Sequence, residues 1–131
     1  YPGKLRFEYR HFPLDFHANA LPAAVAATCA GQQERFWDYH DLLFKNQKAL
    51  SGPDLIDYAA QLELDSASFK SCINDEATVA LVAMDAEVGK SVGATATPTF
   101  YINGIVLRGA QGLEAFRAVI DQELAPVDSA P

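Results

Sequence analysis

The chain has 131 residues, 50% of them hydrophobic, which is enough for a single domain to bury its own core without help from metals. Its formal net charge is −7 and its basic residues are scattered, so nucleic acid and anionic membrane are not expected partners. No apolar run approaches the roughly 20 residues of a membrane span, and Tyr1-Pro2-Gly3-Lys4 lacks the apolar core of a signal peptide.

Leu5-Arg6-Phe7-Glu8-Tyr9-Arg10 alternates strictly, apolar then charged, and predicts a half-buried strand that Pro13 ends. Asn19 to Ala30 follows, an alanine-rich helix with Pro22 in its first turn. Its small side chains let neighbouring backbones approach closely, and Cys29 falls inside it. Glu34 to Gln47 predicts a second helix whose Phe36, Trp37, Tyr39, His40, Leu43 and Phe44 form a broad apolar face directed at the core. Ser51-Gly52-Pro53 starts a third helix, Asp54 to Leu62. Asp65 caps a fourth, Ser66 to Asn74, with Phe69, Cys72 and Ile73 on one side. A longer helix from Glu76 to Val92 carries the only methionine, Met84, and stops at Gly93.

Thr97-Pro98 then launches the strand Thr99 to Ile102, and Asn103-Gly104 turns the chain into a second strand, Ile105 to Arg108. Leu113 to Leu124 closes the pattern as an amphipathic helix with Leu113, Phe116, Ile120 and Leu124 inward, and residues 126–131 read as a tail. A strand, four or five helices, two strands and a helix make an α/β chain with a helical block in the middle. The sequence shows no internal repeat and no domain linker.

Little in the pattern suggests catalysis. Cys29 and Cys72 are too far apart for a C-x-x-C redox motif or a tight metal knuckle. His11, His17 and His40 match no metal-ligand or hydrolytic spacing. No catalytic residue, metal or cofactor is therefore expected.

Several spaced motifs nevertheless occur in a familiar order. Tyr9-Arg10-His11-Phe12-Pro13-Leu14, His17, Asn19-Ala20, Phe36-Trp37-Asp38-Tyr39-His40 and Thr97-Pro98-Thr99-Phe100 resemble the DsbA-like branch of the thioredoxin superfamily, nearly end to end. The resemblance implies a thioredoxin-like fold over residues 1–125 with a helical insertion at about 19–92. It implies thiol–disulfide exchange on exported proteins, in the periplasm or another extracytoplasmic space. Thr97 and Pro98 would be the family's cis-proline loop, an edge that docks extended or unfolded polypeptide. Cys29 and Cys72 match the helical insertion rather than the catalytic pair. They are either a structural disulfide or two buried thiols.

The chain departs from the family at its start. The family's first strand and the C-x-x-C helix, whose N-terminus lowers the attacking thiol's pKa, have no counterpart among these residues. The expected product is an incomplete thioredoxin-like fold, redox-inactive as it stands. Without the first strand, Leu5–Arg10 and Thr99–Ile102 would border an open slot, each buried unpaired backbone group costing about 1–3 kcal/mol. Either the small sheet rearranges so that these strands pair directly, or a second copy of the chain completes it as a homodimer, or a separate N-terminal fragment fills the slot. The competing reading is a non-catalytic peptide-binding or dimerisation module.

Overall fold

The computed structural model describes residues 1–125; the expected tail, 126–131, lies outside the described residues. In chain order the described elements are α1 (Ala20–Gln32), α2 (Phe36–Lys45), α3 (Gly52–Gln61), α4 (Ser66–Ile73), α5 (Glu76–Ser91), β1 (Thr99–Ile102), β2 (Ile105–Arg108) and α6 (Leu113–Leu124). They form two units, Tyr1–Ser91 and a second that begins at Val92.

The first unit is built around α1. Alanine is the best helix former, but α1 has no side-chain cap and no charge in its first or last turn, so packing holds it. Ala23, Ala24, Ala26, Ala27 and Ala30 are all buried, and α2, α3, α4 and α5 each pack against this helix. Tyr39, Phe69 and Val82 supply the large buried side chains around it. The Tyr39 hydroxyl donates to the Leu55 carbonyl at 2.7 Å, and burial pushes its pKa far up. Tyr58 makes the equivalent bond to Ala49 at 2.7 Å. Cys29 and Cys72 are bonded to each other, with Cα atoms 5.8 Å apart, which ties α1 to α4.

Local signals fix the helix starts. The Ser51 backbone N–H and hydroxyl both donate to the Asp54 carboxylate, opening α3 two residues before the predicted Asp54. Asp65 accepts from the Ser68 N–H at 2.7 Å and caps α4.

Three expectations need correction. Residues 5–10 form no strand, because a strand needs a ladder partner and the one described sheet contains only β1 and β2. The alternation keeps its meaning without the ladder. Phe7 stacks on Trp37 at 5.5 Å and Tyr9 meets Phe36 at 5.4 Å, while Arg6 and Arg10 pair with Glu8. The rearranged sheet that would have used Leu5–Arg10 is likewise not formed. Second, the aromatic face of α2 splits: Tyr39 is buried, but Trp37 and Phe44 are 45% and 56% exposed, because the short helix turns only one edge to α1. Third, on α6 only Phe116 and Ile120 of the four expected residues are half-buried, whereas Leu113 and Leu124, at its ends, are exposed.

In the second unit β1 and β2 pair antiparallel with Thr99 opposite Arg108 and Ile102 opposite Ile105. Asn103 and Gly104 both have positive φ, 48° and 91°, as a two-residue turn matching the strand twist requires. Phe100 packs edge-on against Phe116 of α6 at 4.8 Å, and Asn103 donates to Glu123 at 3.1 Å.

Candidate functional site

The loop before β1 holds the predicted docking residues. Both Thr97 and Pro98 are exposed, and the peptide bond between them is cis. Hydrogen bonds fix the loop on either side of Thr97. The Pro98 carbonyl accepts from the Gly109 N–H at 2.8 Å, and the Ala96 carbonyl accepts from the Thr99 hydroxyl at 2.7 Å. Among the described residues no hydrogen bond reaches the Thr97 N–H or carbonyl. A held loop therefore presents one free donor and one free acceptor to solvent, which is the local requirement for pairing with an extended chain.

The cysteines sit elsewhere, inside the helical unit. Cys29 is 1% exposed and Cys72 half-buried beside the Thr78 hydroxyl, and neither is a free thiol. The bond joins α1 to α4 inside the helical unit.

His11 and His40 share the Tyr9 and Phe36 rings, but the three histidines form no common ligand set among the described residues. His17 lies in an exposed turn against the Phe16 ring. His40 is wedged between Trp37 and Phe44 and bonded to Asp41 at 2.9 Å. His11 is buried, its Nε2 3.1 Å from the Thr28 hydroxyl, and burial lowers its pKa despite the nearby Asp85 carboxylate. Among the described residues no group of three or more His, Cys, Asp or Glu is arranged to hold a metal.

Sequence reasoning passed over Asp85. From α5 it accepts the His11 backbone N–H and the Arg10 guanidinium, each at 3.0 Å, and so fastens the irregular N-terminal segment to the helices. With Tyr9, Thr28, Phe36 and Met84 these residues line a cavity of about 340 Å³. Nothing local could reveal a partnership across 75 residues.

Comparison with known proteins gives this geometry its context. The family model described as thioredoxin matches residues 1–122. The chain belongs to this family, in its DsbA-like branch. A crystal structure of Wolbachia pipientis alpha-DsbA1 superposes with a TM-score of 0.68 at 28% identity, covering 86% of this chain and 65% of that one. Two relatives carry a different name. The Na(+)/H(+) antiporter NhaA 1 of Salinispora arenicola is 37% identical over 122 residues, 92% of this chain and 19% of that protein. The antiporter NhaA of Herminiimonas arsenicoxydans is 37% identical over 117 residues, 89% and 18%. The chain thus spans about a fifth of the length of the antiporters it matches and just under two thirds of the DsbA1 chain. No helix among the described residues is long and apolar enough to cross a membrane.

Proposed function

We propose that these 131 residues are a DsbA-like domain, residues 1–125 with a helical insertion at about 19–92, that docks extended segments of exported proteins at Thr97 and Pro98. By themselves they do not exchange disulfides. The observation carrying this reading is that the only two cysteines of the sequence are bonded to each other inside the helical unit. Exchange at this bond requires a substrate thiolate to reach one of its sulfurs, and that access is poor, because Cys29 is 1% exposed and Cys72 is half-buried between helices. The disulfide also supports an oxidising, extracytoplasmic setting, and self-association into a homodimer belongs to the same reading.

Insulin reduction by the purified 131-residue chain tests the redox part. No reduction above the buffer rate is expected. Fast turnover abolished by Cys29→Ser or Cys72→Ser would make one of these the catalytic thiol and overturn the reading.

The antiporter relatives favour a second reading, a non-catalytic binding or dimerisation module within a larger membrane protein. Support comes from 37% identity confined to about a fifth of those chains. The sequence flanking residues 1–131 in the genome separates the two: antiporter helices in the same reading frame favour the module, and a C-x-x-C segment alone favours the oxidoreductase.

A further inference from the structure

Residues 5–10 make no backbone hydrogen bond among the described residues. None of them is proline, so every residue of the segment carries an unpaired donor and an unpaired acceptor. Their side chains alternate as in a strand: Phe7 and Tyr9 turn to the rings of α2, while Arg6 and Arg10 pair with Glu8. The neighbouring surface is apolar. Phe7 is 65% exposed, and Leu81, Met84 and Val88, three and four residues apart on α5, are 50%, 64% and 50% exposed. Large hydrophobic residues grouped in this way mark a surface that something covers.

Residues 9–11 form one wall of the cavity of about 340 Å³, and Phe36 with those three side chains of α5 forms the others. Arg10 and Asp85 at its rim neutralise each other. His11, only 9% exposed, is its remaining polar group. The Thr28 hydroxyl gives its proton to the Ala24 carbonyl, so His11 donates to it from Nε2 and keeps Nδ1 as an acceptor without a partner. No side-chain nitrogen or oxygen among the described residues is sealed off unpaired, so Nδ1 is reached from the cavity that His11 lines.

An unpaired run of backbone takes another backbone as its partner, and a helix, whose backbone is bonded within itself, has none to give; the occupant is therefore an extended chain. A second copy does not fit, because its Phe7 and Tyr9 are held against its own α2 and each copy carries a net charge of −7. The relatives hold polypeptide beyond this region, since these residues cover 65% of the DsbA1 chain and 19% of the Salinispora antiporter.

We propose that residues 5–10 and this cavity seat one further β-strand, from polypeptide outside residues 1–131, which pairs with the 5–10 backbone and sets a tryptophan or tyrosine ring in the cavity, its N–H or O–H on His11 Nδ1. Main-chain bonds hold the strand and the cavity selects the side chain. Phenylalanine is the poorer occupant, because it covers Nδ1 without bonding it. The site lies wholly within Tyr1–Ser91 and does not depend on docking at Thr97, which belongs to the second unit.

The probe is a short fluorescein-labelled peptide alternating threonine and valine, with one central tryptophan and a lysine at each end, titrated by anisotropy into the full 131-residue chain in physiological salt. Replacing its tryptophan by alanine should weaken binding about 30-fold or more, the scale of losing an anchor, and by phenylalanine about tenfold, the scale of one hydrogen bond. In His11→Phe the tryptophan and phenylalanine peptides should bind alike. Leu81→Lys at the rim should weaken both, and Leu113→Lys, at a 63% exposed position of the second unit, should change neither. Near-ultraviolet circular dichroism reports folding, and if His11→Phe does not fold, Leu81→Lys and the peptide series decide. Amide exchange at residues 6–10 should slow on binding, which a side-chain contact alone would not cause. Binding without protection there, or with protection at Thr97 instead, would overturn the strand. Equal binding of the tryptophan and alanine peptides would overturn the cavity, and no binding at 1 mM would overturn both while leaving the Thr97 and redox readings intact.

Discussion

The Thr28 hydroxyl has a single proton, which it donates to the Ala24 carbonyl at 2.9 Å, so at the 3.1 Å contact with His11 the donor must be the imidazole Nε2–H. His11 is therefore the Nε2-protonated tautomer, and an added proton must go to Nδ1.

That placement makes stability depend on pH. The groups around the ring are Asp85 of α5, Thr28 of α1, Phe36 of α2, and Arg10 and Tyr9 of its own segment. Burial outweighs the Asp85 charge and holds the pKa of His11 below its ordinary value near 6.5. The unfolded chain consequently binds the proton first. The stabilisation is complete above about pH 6.5 and is lost as the pH falls from there through the lowered folded value. Urea midpoints measured from pH 8 to 5 should decline in the wild type and decline less in His11→Gln. Equal slopes would refute the assignment.

Asp85 is the second test of the same corner. Its pair with Arg10 is largely solvent-exposed on the arginine side and adds little, whereas its bond to the His11 N–H is charge-assisted and part-buried. Asp85→Ala should destabilise the chain by about 2 kcal/mol. Asp85→Asn retains an acceptor and should cost less than half of that. Amide exchange at His11 should quicken in Asp85→Ala alone, and unchanged exchange in both variants would show that another contact holds the segment.

The parts legible in the sequence were those fixed by neighbours in sequence. The Asp65 cap, the Asn103-Gly104 turn, the stop at Gly93 and the span of α6 each depend on a few adjacent residues. Residues 5–10 show where such reasoning fails. Alternation reports which side chains face apolar neighbours, and here Phe7 and Tyr9 meet the aromatic rings of α2 rather than standing in a sheet. A ladder depends on a distant partner, which no local pattern specifies. Asp85 was missed for the same reason, since its meaning comes from residues brought together only by folding. Thr97 and Pro98 were singled out by a family resemblance, not by a periodicity.

The disulfide should matter to stability rather than to chemistry. Cys29 and Cys72 are 43 residues apart, and closing a loop of that size stabilises the fold by about 4 kcal/mol on the chain-entropy model. The Cys29→Ser, Cys72→Ser double variant should lower the urea midpoint accordingly, and dithiothreitol should shift the wild type but not the variant. An equal response of the two proteins to reductant would mean that the bond contributes nothing to the folded state.

The final prediction concerns the loop at Thr97, where the free backbone donor and acceptor are the proposed point of attachment for an extended chain. Such pairing uses main-chain atoms, so the identity of the Thr97 side chain should count for little and its N–H for more. Thr97→Ser should bind a fluorescently labelled, permanently unfolded polypeptide as the wild type does. Thr97→Pro, which removes the donor, should weaken binding about tenfold, the equivalent of one hydrogen bond. Loop integrity is checked independently through the Gly109 amide, whose bond to the Pro98 carbonyl should keep its protection from exchange. A more direct reading needs no substitution: on adding saturating polypeptide, the Thr97 amide should exchange more slowly while the exposed Phe16 turn is unchanged. Unaltered exchange at Thr97 in the presence of bound polypeptide would move the docking site away from this loop.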